Sequence, residues 1–243
     1  MLIFIVPYRD RENQKDFFLR HMKEYILKDL EEDIDYKIMI IHQKDKRPFN
    51  RGAMRNIGYL IHRKENKESY MEDTIIFNDI DTMPYKKDYL NYQVNEGEVK
   101  HYYGMRETLG GIVSIKPTDF EKINGYPNYW TWGGEDNMLL ERVKKNNIKI
   151  NRDEFHYYLN NNIIQLNHGN KRILAVNNNI DMREENGLST LSNLKYNYNG
   201  DVIDITQFTT MNDIPQIRIV DVAREKPKLD MNYVKMADIF KRR

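Results

Sequence analysis

Apolar and amphipathic segments alternate along the N-terminal part of the chain. Apolar runs at 2–6, 36–42 and 74–77 predict three buried strands. The segments between them, 12–28 and 51–63, place their apolar side chains at helical spacing. Strands that alternate with helices in this order are typical of a mostly parallel sheet with right-handed crossovers. The pattern therefore predicts an α/β fold.

After residue 100, the alternation of long strands and helices ends, and shorter predicted elements follow one another. The stretch "GGIVSIKP" at 110–117 predicts a strand that is entered through two glycines. The next segment predicts a short helix that starts at Pro117 and stops at Gly125. Further helices are predicted at 135–147 and at about 171–185.

Length and composition suit one globular domain. The chain has 243 residues, and neither an internal repeat nor a low-complexity linker divides it. We expect a single domain at 1–222 and a charged tail at 223–243. The chain has 38 Lys and Arg residues and 37 Asp and Glu residues. It therefore has no large net charge that would favour binding to nucleic acid or to an anionic membrane. There are no cysteines, which excludes disulfides and thiolate metal sites.

The sequence shows no targeting segment. The first apolar run is too short for a signal-peptide core and has no basic leader. No later run approaches the roughly 20 apolar residues that a membrane helix needs. We therefore expect a soluble protein of the cytoplasm, of a virion or of a host cytosol, without a membrane anchor.

Polar clusters follow the three predicted strands, at the sheet edge where ligands of α/β proteins gather. In the third cluster, Asp79 and Asp81 are two residues apart, so both carboxylates point the same way in an extended segment. Two carboxylates at a strand end suit a divalent cation that also binds phosphate oxygens and water. A pair of solvated turn acids is the alternative. His168 could join the carboxylates in binding Mn²⁺, although a lone histidine is more often a structural residue.

Basic and aromatic residues stand at the ends of the first two strands. Arg9, Arg11 and Arg51 would lie near the two aspartates in a parallel sheet and could hold a diphosphate. Taken singly, such arginines are more often surface charges. Tyr8 and Phe49 could sandwich a nucleobase, and a place in the core is an equal alternative for each.

The stretch "NYWTWGGEDN" at 128–137 contains the only two tryptophans of the chain, Trp130 and Trp132. Its two glycines permit a tight turn and a pivot. Glu135 and Asp136 begin the next helix, whose dipole stabilises carboxylates as anions. An ionised carboxylate is a competent base for a sugar hydroxyl, and indole faces pack against sugars. A plain helix start would explain the acids but not the clustered tryptophans.

Five blocks of the sequence together resemble the β-1,4-galactosyltransferase family, glycosyltransferase family 7. They are "VPYRDR", "FNRGAMRNIGY", "FNDIDTMP", "GGIVSIKPTDFEKINGYPNYWTWGGEDN" and "EENGLSTL", and they span residues 6 to about 191. The resemblance implies a GT-A fold, a Mn²⁺ ion and a UDP-sugar donor. It also implies transfer of the sugar, with inversion, to the 4-hydroxyl of an acceptor sugar.

The resemblance further implies roles for individual residues. Asp136 would be the catalytic base, with Glu135 beside it. Asp81 and His168 would bind the metal, and Gln165 stands where many animal members have a methionine. The residues expected to contact the UDP-sugar are Pro7, Tyr8, Arg9, Arg11, Phe49, Arg51, Asp79, Thr108, Gly111, Trp132, Gly133 and Gly134.

Two departures from the family bear on the substrates. Asn137 replaces an acid that helps to hold the acceptor, and Thr108 replaces a tyrosine that crowds the 2-position of the donor sugar. The smaller threonine predicts that UDP-N-acetylgalactosamine is used at least as well as UDP-galactose. Two alternatives stay open: a sugar- or nucleotide-binding module that has lost catalysis, and a family 2-like polysaccharide glycosyltransferase.

Overall fold

In the described part of the chain, a central sheet of nine strands with helices on both faces dominates the structure. The computed structural model of the chain describes residues 1–28, 34–167, 169, 171–176 and 183–221. The expected tail at 223–243 lies outside these residues.

The strands of the described residues are β1 (Leu2–Tyr8), β2 (Tyr36–Gln43), β3 (Thr74–Asn78), β4 (Thr82–Pro84), β5 (Glu98–Gly104), β6 (Ile112–Ile115), β7 (Lys149–Asn151), β8 (His156–Tyr157), β9 (Ile163–Gln165), β10 (Lys171–Ala175), β11 (Ser192–Asn199), β12 (Val202–Thr209) and β13 (Ile217–Asp221). The α-helices are α1 (Glu12–His21), α2 (Arg51–Glu65), α3 (Pro117–Lys122) and α4 (Glu135–Lys145). A π-helical turn continues α1, and short 3₁₀ turns occur at Tyr70–Glu72 and Leu188–Thr190. None of the described helices has both the length and the apolar character that a membrane span requires.

The sheet is mixed: a parallel half around β1 is flanked by antiparallel pairs at β11–β12 and around β6. Its order is β11-β12-β2-β1-β3-β6-β5-β7, and β8 also pairs with β5. Strands β12, β2, β1 and β3 run parallel, whereas β6 is antiparallel to both β3 and β5. Leu2 lies opposite both Tyr36 and Thr74, so β1, β2 and β3 begin in register. The carboxyl ends of these three strands therefore meet at one edge.

Each face of the sheet has its own apolar core because side chains alternate along a strand. Ile3 and Ile5 belong to the core that includes residues of α2, α3 and α4. Phe4 and Val6 belong to the core on the other face, which includes residues of α1. All four side chains are fully buried, which explains why the first strand reads as a continuous apolar run.

The prediction of a helix at about 171–185 is wrong for residues 171–175, which form β10. This strand pairs antiparallel with β13, and Ile173 lies opposite Ile219. A short apolar segment suits either a helix or a strand, and its partner strand lies far away in the sequence. Pairing with β13 therefore decides the structure of this segment. Residues 177–182 lie outside the described residues.

Candidate active site

The loop after β3 brings Asp79 and Asp81 to the carboxyl edge of the parallel strands. Asn78 fixes this turn, because its buried amide donates to the carbonyls of Asp79 and Thr82, each at 2.8 Å. The backbone N–H of Asp79 donates to the carbonyl of Gly111 at 2.9 Å. The two acids are thus held beside the glycine pair that leads into β6.

Two arginines one helical turn apart link this loop to α4. Arg51 donates to Asp79 at 3.0 Å and to Glu135 at 2.6 Å, and it also pairs with Asp136. Arg55 donates to Asp79 at 2.7 Å and to Asp136 at 2.6 Å. Three carboxylates from two elements therefore share two guanidinium groups.

The start of α2 is fixed by side-chain hydrogen bonds, which explains how its arginines reach the site. Asn50 caps the helix by accepting from the N–H of Ala53 at 2.9 Å. Its amide also donates to the carbonyl of Asn128 at 3.0 Å. Gly52 permits close packing, because a Cβ there would lie 2.0 Å from the carbonyl oxygen of Pro127. Helix α2 is therefore anchored to the segment that leads into the tryptophan loop.

Gly134 and the first turn of α4 place the two consecutive acids. Gly134 has a φ of 90° in the left-handed region and turns the chain into the helix. Glu135 is buried against Arg51, whereas Asp136 is half-buried. Burial would raise the pKa of the Asp136 carboxyl, but the charges and hydrogen bonds of Arg51 and Arg55 outweigh it and hold that pKa below its usual value. Asp136 is consequently ionised at neutral pH.

The carboxyl group of Asp81 is buried near that of Asp79. Burial raises the pKa of its carboxyl to about 6 and the nearby Asp79 adds to the rise, while Arg11 and Arg51 oppose it. A buried carboxylate whose pKa is raised would be stabilised as an anion by a divalent cation. Gln165 lies beside it, since β4 pairs with β9 and the Gln165 amide approaches the Asp81 carbonyl at 3.5 Å.

The third expected metal ligand, His168, lies outside the described residues. Within the described ranges, no group of three histidine, aspartate or glutamate side chains could hold a metal by itself. Asp81 and Gln165 supply oxygen donors that suit Mn²⁺, so the residues present fit such an ion in part. His168 and donor phosphate oxygens would have to complete the site.

The candidate nucleotide residues lie at the ends of β1 and β2, but not all face the site. Tyr8 is buried, with its ring centre 4.9 Å from that of His42, which favours the core alternative. Arg9 donates to the carbonyl of Arg47 and pairs with the exposed Asp10 at 3.4 Å. Arg11 precedes α1 and is near enough to Asp81 for its charge to lower the pKa of that carboxyl.

Two further candidates have local structural partners. Pro7 lies within β1 and is buried. Phe49 is partly buried against the core on the α2 face, and its carbonyl accepts from the N–H of Thr131 at 3.1 Å. Both side chains therefore pack within the fold.

The two tryptophans occupy different environments, so the interpretation of both as sugar platforms is wrong for Trp130. Trp130 is only 6% exposed, stacks with Phe208 and donates from its indole N–H to the carbonyl of Asn212 at 3.0 Å. Trp132 is 58% exposed, and its backbone N–H donates to the carbonyl of Ile173 in β10 at 3.0 Å. Only the second indole is available to a ligand.

The loop before the glycine pair contains Thr108. Its hydroxyl donates to the carbonyl of Met105 at 3.2 Å, and the side chain is partly exposed. Gly111 follows with a φ of 74°, and a Cβ there would lie 2.4 Å from the carbonyl oxygen of Tyr103. Only glycine fits at this position. Asn137 lies exposed nearby and donates to the carbonyl of Glu107 at 3.2 Å.

Sequence reasoning missed Arg55. The signal was present, because residues four apart share one helical face, and Arg51 had already been assigned to the site. The neighbouring positions of α2 are apolar, so the sequence indicates a packing role for this part of the helix, Arg55 included.

Two family models match most of the described chain. The N-terminal region of glycosyl transferase group 7 matches residues 1–95, and the N-terminal domain of galactosyltransferase matches residues 91–166. Human Beta-1,4-galactosyltransferase 4 is 34% identical over 158 residues, which are 61% of this chain and 44% of that protein. Beta-1,4-galactosyltransferase 2 of Cricetulus griseus is 30% identical over 161 residues, which are 62% of this chain and 42% of that protein. The chain thus spans less than half the length of these relatives.

Solved structures show the same fold. The beta-1,4-galactosyltransferase 7 of Drosophila, as a mutant in complex with manganese, UDP-Gal and xylobiose, superposes with a TM-score of 0.68 and 19% identity over 88% of this chain and 95% of that chain. The catalytic domain of the Drosophila protein in complex with xylobiose gives a TM-score of 0.67 and 20% identity, with the same coverage. The predicted GT-A fold is therefore confirmed, and a family 2-like protein is excluded by the matched models. The chain belongs to glycosyltransferase family 7, the β-1,4-galactosyltransferase family.

Proposed function

We propose that this protein is a metal-dependent inverting glycosyltransferase. It moves galactose or N-acetylgalactosamine from a UDP-sugar to the 4-hydroxyl of an acceptor sugar. The observation that carries the proposal is the meeting of Asp136 with Asp79 through Arg51 and Arg55. Such a site has an ionised base next to the loop that carries the acid pair.

The donor side is built from the strand ends. Arg9, Arg11 and Arg51 would bind the diphosphate, because guanidinium groups match phosphate oxygens in charge and geometry. Asp81, Gln165 and His168 would hold Mn²⁺. When bound, this ion would offset the negative charge of the departing diphosphate.

The acceptor side is built from the first turn of α4. Asp136 would take the proton of the acceptor hydroxyl while that oxygen forms a bond to C1 of the donor sugar. The bond from C1 to the phosphate oxygen breaks, and UDP leaves with the electron pair. Attack opposite the leaving group inverts the anomeric centre. Glu135 is buried and bonded to Arg51, so it would orient that arginine.

The tryptophan loop would complete the acceptor site. Trp132 is exposed and offers a flat face to a pyranose ring. Gly133 has a φ of 111°, and a Cβ there would meet nothing within 4 Å. The loop therefore has room and backbone freedom to close over a bound donor and exclude water.

Thr108 would admit the larger donor. Its side chain is smaller than the aromatic ring of a tyrosine, and its hydroxyl donates to the carbonyl of Met105. The space beside C2 of the sugar would then accept an N-acetyl group. We accordingly propose both UDP-galactose and UDP-N-acetylgalactosamine as donors.

The purified full chain should be incubated with Mn²⁺, single UDP-sugars and a panel of monosaccharide and disaccharide acceptors. Mass spectrometry would detect the product, and proton NMR would give its linkage and anomer. We expect a β-linked product with one or both donors, and loss of product in Asp136→Asn without loss of UDP binding. Binding of UDP-sugar without any transfer would instead support a binding module that has lost catalysis. An α-linked product would contradict inversion.

A further inference from the structure

Arg55 lies buried between two acids that the proposed function assigns to opposite sides of the reaction. Its side chain is 1% exposed. One terminal nitrogen donates to Oδ1 of Asp136 at 2.6 Å, and the other donates to Oδ1 of Asp79 at 2.7 Å. The guanidinium also lies over the ring of Tyr126, 4.6 Å from its centre. Its Nε–H has no hydrogen-bond partner in the described part of the chain, so the two acids determine where the group sits.

Arg51 differs from Arg55 in exposure and in what it can do. Its side chain is 22% exposed, and it contacts Asp79, Glu135 and Asp136. A partly exposed arginine has room to turn towards an incoming diphosphate, whereas an enclosed arginine has none. When Arg51 does so, Oδ2 of Asp136 loses its partner and Oδ1 keeps Arg55.

We propose that Arg55 is a positioning residue for the reaction. It holds Oδ1 of Asp136 and Oδ1 of Asp79 in one guanidinium fork, so that Oδ2 of Asp136 is left to take the acceptor proton once Arg51 binds the donor diphosphate. This inference rests on the proposed function and deepens it. The planar guanidinium is suited to the task, because its donors are fixed relative to one another and a lysine has only a point charge.

The role of Arg55 follows from the position of Asp136 at a helix start. The backbone of Asp136 is fixed by α4, and its carbonyl accepts from the N–H of Leu109 at 3.0 Å. Oδ2 pairs with Arg51, so the side chain could rotate once Arg51 turns away. A buried partner on Oδ1 restricts that rotation. A misplacement of about 1 Å at a reacting group costs on the order of 100-fold in rate.

A double-mutant cycle tests the inference with the full chain. Transfer rates are measured for the parent, Arg55→Met, Asp136→Asn and the double variant, together with the Kd for UDP and Mn²⁺. We expect Arg55→Met to lower kcat by about 10–100-fold, with KM for the donor and the Kd for UDP within about twofold of the parent. In the Asp136→Asn background, we expect Arg55→Met to cost less than about twofold, because it acts through Asp136.

Arg142→Met is the matched control for loss of a buried arginine. Arg142 is also buried, and it donates to the carbonyls of Gly125 at 2.7 Å and Asn186 at 2.5 Å, away from the acids. We expect it to lower the melting temperature while leaving a kcat close to that of the parent.

Arg55→Lys keeps the charge and covers the case in which Arg55→Met does not fold. We expect an intermediate kcat for Arg55→Lys, because a lysine does not hold both acids in one plane.

The outcomes separate this inference from the proposed function. Equal costs of Arg55→Met in both backgrounds, or parent activity in Arg55→Lys, would overturn the positioning role while the glycosyltransferase proposal stands. Absence of transfer by the parent chain with every UDP-sugar would overturn both.

Discussion

Gly110 lies directly against the carboxylate of Asp136. A Cβ built on Gly110 would lie 2.5 Å from Oδ2 of Asp136 and 2.9 Å from its Cγ. Any other residue type would crowd this oxygen, because the first carbon of its side chain would already overlap it. In the glycine pair before β6, Gly110 therefore leaves space for the Asp136 carboxylate, and Gly111 permits the left-handed backbone conformation.

Gly110→Ala should impair the reaction more than the fold. The added methyl group would push the Asp136 side chain away from its position or cover Oδ2, and we expect kcat to fall by about 100-fold or more. UDP binding should change little. The measurement is a comparison of kcat and the Kd for UDP with the parent. Unchanged turnover would show that Oδ2 is not the reacting oxygen.

Asp81→Ala should abolish the metal dependence of donor binding. Asp81 is buried, and the proposed function assigns its carboxylate to the metal. We expect the affinity for UDP in the presence of Mn²⁺ to fall by more than about tenfold, which is about 1.4 kcal/mol. Calorimetric titration of UDP with and without Mn²⁺ measures it. Asp153→Ala, at an exposed turn before β8, is the control and should bind like the parent.

Fluorescence should report the tryptophan loop through one indole. Trp132 is exposed and Trp130 is buried against Phe208, so donor and Mn²⁺ should change the emission of Trp132 alone. Titration of Trp130→Phe should keep the response, and Trp132→Phe should lose it. A response that survives in Trp132→Phe would place the moving segment elsewhere.

Thr108→Tyr should shift donor preference towards UDP-galactose. The tyrosine ring would fill the space that the proposal reserves for the N-acetyl group at C2. Competition of UDP-galactose with UDP-N-acetylgalactosamine for one acceptor gives the ratio of the two products directly. A parent that strongly prefers UDP-galactose, or a ratio that the substitution leaves unchanged, would place the pocket away from Thr108. Thr118→Tyr, on the exposed side of α3, is a control for the added ring.

His101 should make the fold less stable in mild acid. Burial, aided by the charge of Arg152, lowers the pKa of His101 to about 4, and its Nε2–H donates to the carbonyls of Tyr103 and Gly110. An unfolded histidine has a pKa near 6.5, so above about pH 6.5 both states are neutral and the contribution is complete. As the pH falls from about 6.5 to about 4, the unfolded state takes up a proton that the folded state refuses.

Urea denaturation at several pH values measures this effect. One such proton gives a slope of at most about 1.4 kcal/mol per pH unit in the free energy of unfolding. His101→Gln keeps a donor near Gly110 but does not titrate, so its stability should depend less on pH across that interval. An identical slope in the variant would assign the acid sensitivity to other groups, such as His62, whose pKa is also lowered by burial.

Much of the parallel half of the sheet could be predicted from the sequence, because its signals are local. β1, β2 and β3 are buried on both faces and read as continuous apolar runs, and the helices between them carry the 3.6-residue period. The acid pair and the arginines were found for the same reason. Each follows a strand whose end can be read from the residues around it.

Long-range contacts decided what the sequence alone left open or misassigned. Val202–Thr209 joins the sheet beside β2, and Lys171–Ala175 pairs with Ile217–Asp221, so both depend on partners far along the chain. The separate environments of Trp130 and Trp132, and the place of Arg55 between Asp79 and Asp136, follow from the same packing. Local periodicity specifies which face of an element is apolar, whereas the identity of what packs against that face depends on the whole chain. The sequence by itself therefore determined the family, the first strands and the principal acids, and only the tertiary structure decided which guanidinium group holds each of them.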